Sequence, residues 1–179
     1  MQADDILSFW LNDIDPAKWW IKDVEFDRLI ENKFLTIHQQ AMNCELYDWR
    51  KTAKGRLAEI IVLDQFSRNI FRDTPQAFST DKLALALAQE TISLGLHLNL
   101  NATERMFLYM PYMHSESLKI HDIALTLFKE NGIQANVDFE IKHRDIIEKF
   151  GRYPHRNKIL NRQSTEAELA FLKQPGSSF

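Results

Sequence analysis

An all-α fold follows from three observations. Apolar residues recur at spacings of three and four along most of the chain, the period of a helix buried on one side. Only five glycines and five prolines occur in 179 residues, too few for the many tight turns of an all-β chain. No convincing run alternates apolar and polar side chains over a strand's length. The breaks between apolar segments are short, so neighbouring helices are expected to pack as antiparallel hairpins.

Ile6, Leu7, Phe9, Trp10 and Leu11 make a first short helix behind Asp4 and Asp5, whose charges suit a helix start. Asp15-Pro16 breaks it, and Trp19-Trp20 lie in the connection. A longer amphipathic segment carries Phe26, Leu29, Ile30, Phe34, Ile37, Ala41, Leu46 and Trp49. Leu57 to Phe71 is a third helix, ended by Asp73-Thr74-Pro75. Thr80 is expected to cap a fourth, running through Leu83, Leu85, Leu87 and Ile92 to Gly95, a suitable C′ stop. Asn101 with Glu104 reads as a capping box opening a fifth helix, which Pro111 should end or kink. His114-Ser115-Glu116 leads into a sixth helix closing near Asn131-Gly132, and Gln134 to Phe150 is a seventh. After a loop from Gly151 to Gln163, Thr165 and Glu168 form a second capping box for a last helix docked by Phe171-Leu172. Residues 1–174 are expected to form a single all-α domain, with 175–179 a frayed tail.

The apolar share of 45% and charged share of 26% are those of an ordinary globular protein, so disorder is not expected. A net charge of −3 gives no bulk attraction to nucleic acid or anionic membranes. The charge is unevenly placed: residues 1–31 carry eight acidic side chains against three basic ones, and residues 142–163 seven basic against two acidic. Mutual neutralisation of the two ends is the simplest expectation. Cys44 is the only cysteine, so no intrachain disulfide forms; a reducing cytosol and a buried, inert thiol are expected. The acidic Met1-Gln2-Ala3-Asp4-Asp5 start is unlike a signal peptide, and no apolar run is long enough to span a membrane. A cytoplasmic location is expected.

Three groups of residues carry chemistry. In Leu57–Arg72 nearly every direction is apolar, and a helix apolar all round is buried. Asp64 and Arg68 nevertheless lie four apart on it, acid before base, the favourable order for an ion pair. Such a pair is either a core ion pair or the wall of a site, and Gln65 and Asn69 extend the polar strip. The second group is His114, Ser115 and Glu116. Spacing puts His114 seven residues before His121, on a face with Leu118 and Leu125; a satisfied half-buried imidazole and a general acid–base are both open readings. Among His114, Glu116, His143 and His155 no pair has the i,i+4 spacing of a helical zinc motif, so no metal is assigned. The third group is the loop Phe150-Gly151-Arg152-Tyr153-Pro154-His155-Arg156-Asn157, running on to Arg162. Guanidinium forks, an imidazole and a carboxamide are groups that hold anions, although arginines there would equally clamp helix ends. The four tryptophans are expected in the core or lining a groove.

At these residues the chain resembles a known family. Leu63-Asp64-Gln65-Phe66-Ser67-Arg68-Asn69, the segment from Phe107 to Glu116, and Gly151-Arg152-Tyr153-Pro154-His155-Arg156-Asn157 are similar to three signatures of the bacterial family numbered nine hundred and twenty-four among the domains of unknown function. Phe9-Trp10, Trp19-Trp20, Phe78 with Asp81, and Ser164-Thr165 extend the resemblance over nearly the whole chain. It implies tetratricopeptide-like helical hairpins in a right-handed array and implies no reaction. The sequence departs from the family pattern at Ser67, where proline is expected, at Asp73 and Asn161, where glycines are usual, and at His121, where glutamine is common.

These residues lead to an expected pocket for a small anionic ligand. Asp64, Arg68, Asn69, Arg152, Arg156 and Asn157 would bind it, and His114, Glu116 and His155 would move protons. Hydrolysis of a phosphate or carboxylic ester would suit such a set. The rival reading is a helical module that captures a peptide in its groove without catalysis. No motif names a cofactor.

Overall fold

The computed structural model describes residues 1–177, and among them every regular element is helical. Helix α1 (Ala3–Ser8) runs into a π-helical turn, Phe9–Asp13, and a 3₁₀ turn at Pro16–Trp20 leads to α2 (Val24–Met42). After a second 3₁₀ turn come α3 (Ala53–Ile61), a π-helical turn at Val62–Phe66 and α4 (Ser67–Ile70), a single continuous helical run. Then follow α5 (Asp81–Ser93), α6 (Ala102–Met113), α7 (Leu118–Asn131), α8 (Gln134–Phe150) and α9 (Glu166–Phe171).

The centre is formed by two helical segments buried on every side. Residues Gly55 to Ser67 are all buried, as are Met106 to Met113, so each must be surrounded by other elements. Accordingly α3 packs on α1, α5 and α6, while α2 lies along the π turn and α4. The chain then builds outward in order, α5 on α6, α6 on α7 and α7 on α8, with α6 also reaching α8. Trp10, Phe34, Phe66 and Phe107 fill the middle, with Phe34 and Phe66 ring centroids 4.7 Å apart. A smaller cluster of Ile146, Ile147 and Tyr153, with Leu118, Phe150 and Phe171, anchors the C-terminal loop.

The local signals place most helix ends. Both capping boxes, Asn101 with Glu104 and Thr165 with Glu168, are formed, and Gly95, Gly132 and Gly151 take left-handed backbone after α5, α7 and α8. Asp73 (φ 61°) and Asn161 (φ 53°) also lie in that region, which explains why glycine would suit both positions.

Other expectations are corrected. The third helix begins at Ala53, where the Thr52 hydroxyl accepts from Gly55 N at 3.0 Å; a Cβ on Gly55 would fall 2.0 Å from Trp49 O. Leu46 and Trp49 lie beyond the end of α2. Cys44 is exposed rather than buried, because it lies past the end of α2 in a turn, with left-handed backbone (φ 58°). Thr80 stands before α5 but makes no cap; its hydroxyl faces inward and donates to Leu63 O at 2.6 Å. The helix containing Pro111 persists to Met113. His114 ends α6, so it shares no helix face with His121 of α7.

The basic loop does not neutralise the acidic N-terminus. Its arginines pair with Asp81, Glu116 and Glu168, while Asp27 is held by Arg72 and Asn69. Of the tryptophans, Trp10 is in the core and Trp20 is exposed. Within the expected tail, Pro175 and Gly176 are exposed and Ser177 is buried, its hydroxyl donating to Leu172 O at 3.2 Å; residues 178–179 lie outside the described residues.

Candidate functional site

The π turn and α4 present the first side chains. A π turn widens the helix by one residue and sets its carbonyls out of the usual register. Two hydroxyls take up the Leu63 carbonyl, Ser67 Oγ and Thr80 Oγ1, each at 2.6 Å. Ser67 Oγ also meets Thr80 Oγ1 at 2.8 Å and His38 Nε2 at 2.6 Å. Ser67 is thus held in a buried network with Leu63, Thr80 and His38.

Asp64, wholly buried, is paired on several sides. Its Oδ1 contacts His114 Nδ1 at 2.8 Å and Arg68 Nη1 at 3.3 Å, and its Oδ2 accepts from Gln65 Nε2 at 2.6 Å. Burial works against the charge, but Arg68 and His114 outweigh it and hold the carboxyl down at about 2. The same arginine reaches Asp81 of α5, Nη1 to Oδ1 at 3.1 Å and Nη2 to Oδ2 at 3.2 Å. Burial and the Arg68 charge lower the pKa of His114 despite Asp64 beside it. The imidazole is then neutral, carrying its proton on Nδ1 toward Asp64, with Nε2 left as an acceptor.

The C-terminal loop supplies the other wall. Arg156 is 6% exposed, and its guanidinium lies over the rings of Phe78 and Tyr153, 4.6 Å from each centroid. Contacts of this kind hold a guanidinium in place without using its N–H donors. One hydrogen bond uses those donors, Nη1 to Asp81 Oδ2 at 3.3 Å, and the buried Nε meets no acceptor among the described residues. His155, next in the chain, is held down at about 4 by burial and then by Arg156. Thus Asp64, Arg68, His114, His155 and Arg156 come together around Asp81 and Tyr153.

The remaining candidates have other employment. Glu116 accepts from Tyr153 N at 2.8 Å and holds Arg162 with both oxygens, at 2.6 and 2.9 Å. Burial opposes its charge, but Arg162 and the Tyr153 N–H keep its pKa low, so it fastens the loop as a carboxylate. Asn157 is spent on Arg162 and Ser164 within the loop. Arg152 forks onto Glu168, closing the loop on α9. Asn69 turns to Asp27 on α2, 2.8 Å away, because one helical residue beyond Arg68 rotates it about 100° away from that face. A cleft of about 450 Å³ between α8 and α9 is lined by Arg152 and Glu168, and another of about 510 Å³ lies between α1 and α6; neither contains Arg68, His114 or Arg156.

Sequence reasoning missed Asp81, Phe78 and Tyr153 as site residues. Asp81 looks like an ordinary first-turn acid of α5, and nothing local tells that it bridges two arginines.

Behind the cluster, His121 and Glu140 are wholly buried. His121 Nδ1 meets Glu140 Oε1 at 2.7 Å and Nε2 meets Ser115 O at 2.8 Å, so both ring nitrogens are committed. Among the described residues no three metal-ligating side chains gather as a cation site, and no helix is long and apolar enough to cross a membrane.

Residues 6–176 match the family described as bacterial protein of unknown function (DUF924). A solved structure of a protein of unknown function from Agrobacterium tumefaciens is similar to this chain, with 38% identity, 96% of each chain covered and a TM-score of 0.90. No curated protein matches. The chain belongs to the bacterial DUF924 family.

Proposed function

We propose that this protein binds a small oxyanion, a carboxylate or phosphate group on a metabolite-sized molecule, against Arg156 and Arg68. The observation that carries this reading is Arg156 itself. A guanidinium so deeply buried normally spends its donors on acceptors, yet this one lies over two rings with a single hydrogen bond and an unmet Nε among the described residues. Its edge is preorganised for a bidentate partner. Asp64 holds the Nδ1 side of His114, so His114 Nε2 is the natural proton acceptor should a water attack a bound ester. Glu116, Asn69, Arg152 and Asn157 are left out of this reading, since their polar atoms are engaged elsewhere. The consecutive packing of α5 on α6, α6 on α7 and α7 on α8 supports a tetratricopeptide-like array, and we place this single domain in the cytoplasm.

Calorimetric titration with phosphate, acetate and sulfate tests the proposal. Wild type should bind at least one of them, and Arg156→Ala should weaken binding by about 1.5–3 kcal/mol, the worth of a charge-assisted hydrogen bond. Equal responses from both proteins would leave the loop as a clamp. The second reading, peptide capture, is favoured by the exposed Trp20, Ile21 and Val24, close together in sequence, and it predicts binding that is indifferent to Arg156.

A further inference from the structure

The cluster already carries as many carboxylates as guanidiniums. Arg68, Arg156 and Arg162 stand against Asp64, Asp81 and Glu116, and every one of the six is in an ion pair with another of the set. An arriving anion would place an uncompensated charge in a buried setting, where the penalty is large. Something must gain positive charge at the same moment. The arginines cannot, being charged already. The imidazoles of His114 and His155 can.

Resting on the anion-site reading above, we propose that an oxyanion enters this site together with one proton, which the His114–His155 pair takes up. The ligand class is then a weakly held oxyanion whose affinity follows pH, and the site operates as a co-binder of anion and proton.

The surroundings of each ring support the assignment. His114 is faced by Asp64 from the π turn, Arg68 from α4 and Asp81 from α5. His155 is faced by Arg156 and Arg162 of its own loop, by Glu116 ahead of α7 and by His114. In the empty site, burial and the arginines keep both rings neutral. An anion seated on Arg156 would reverse the local field and favour an imidazolium. The other two histidines nearby are poorly placed for this role. His143 of α8 is held lower still, at about 3, by burial, and its Nδ1 faces Phe139 O at 2.8 Å. His121 has both ring nitrogens engaged with Glu140 and Ser115.

The sign follows from linkage. Free-state pKa values lie below the ordinary histidine value and bound-state values above the free ones, so binding takes up a proton in the window between them. Affinity is greatest at the acid end and falls by about tenfold per pH unit through that window.

Sulfate is the decisive probe, because it keeps its charge from pH 5 to pH 8 and any proton taken up must go to the protein. Titrating the wild-type chain with sulfate in buffers of different ionisation enthalpy should return about one proton per sulfate near pH 6, with the dissociation constant rising as pH rises. The H114Q/H155Q double variant should lose the proton uptake. If that variant fails to fold, nitrogen-detected NMR of the wild-type imidazoles serves instead: adding sulfate at pH 6.5 should turn His114 or His155 from neutral to charged. Sulfate binding with no proton uptake, or a proton that lands on His143 or His121, overturns the inference and leaves the anion site standing. Failure of sulfate, phosphate and acetate alike to bind wild type overturns both.

Discussion

Asp64 Oδ1 and His114 Nδ1, 50 residues apart in sequence, meet at 2.8 Å in the interior of the protein. The carboxylate belongs to a π turn and the imidazole to the end of α6, so the bond joins the two most buried segments of the fold. Arg68 and Gln65 take further positions on the same carboxylate. A buried charge is tolerable only when its lone pairs are satisfied in this way.

Replacing Asp64 by Ala should therefore destabilise the protein by about 3–5 kcal/mol, the cost of orphaning a buried partner. Because its folded pKa is depressed to about 2, the stability Asp64 contributes is fully present above the unfolded carboxylate range and is lost as pH falls through about 2. Urea denaturation at pH 7 reads the first effect, and an unchanged midpoint would refute it.

Thr80 offers a test of network against cap. If its hydroxyl serves Leu63 O and Ser67, Thr80→Val should cost about 1–2 kcal/mol, while Thr80→Asp, normally an excellent N-cap, should cost more by burying a carboxylate. Thermal denaturation of the two variants gives the order. Aspartate proving better than valine would restore the capping role.

Acid stability should be governed by histidines. Burial lowers His38 and His155 to about 4 and His143 to about 3. Between those values and the ordinary histidine value the unfolded chain binds more protons than the folded one. Stability is thus complete above about pH 6.5 and falls as pH drops toward 4, by up to about 1.4 kcal/mol per pH unit for each ring. Unfolding free energies at pH 7, 6 and 5 should show this slope, and His38→Gln should reduce it by about one proton. A flat profile would contradict the buried neutral rings.

At Asp73 the backbone is left-handed and the side chain pairs with an exposed Lys22. Asp73→Gly should stabilise by about 0.5–1 kcal/mol, since relief of left-handed strain exceeds what a surface ion pair supplies. A lower melting temperature would show that the Lys22 contact matters more.

Much of the candidate cluster was legible one residue at a time. The spacing of Asp64 and Arg68 on an apolar helix foretold a buried ion pair, and the density of Arg152, His155, Arg156 and Arg162 marked the loop. The company each residue keeps was not legible. Asn69 reads as an extension of the Asp64–Arg68 strip but belongs to Asp27. Arg152 and Arg156, four apart in one loop, serve Glu168 and Asp81 respectively. Glu116, beside His114 in the chain, is drawn to Arg162.

The sequence alone determined that the chain is helical and where most helices stop, because capping boxes, left-handed glycines and apolar periodicity act over a few residues of backbone. Tertiary structure decided which charge meets which. A carboxylate on a helix surface can serve any donor within reach, and reach depends on how distant segments are brought together. Asp81 is the clearest case: locally a first-turn acid, it becomes the bridge between Arg68 and Arg156 only when α5 and the C-terminal loop close over the π turn.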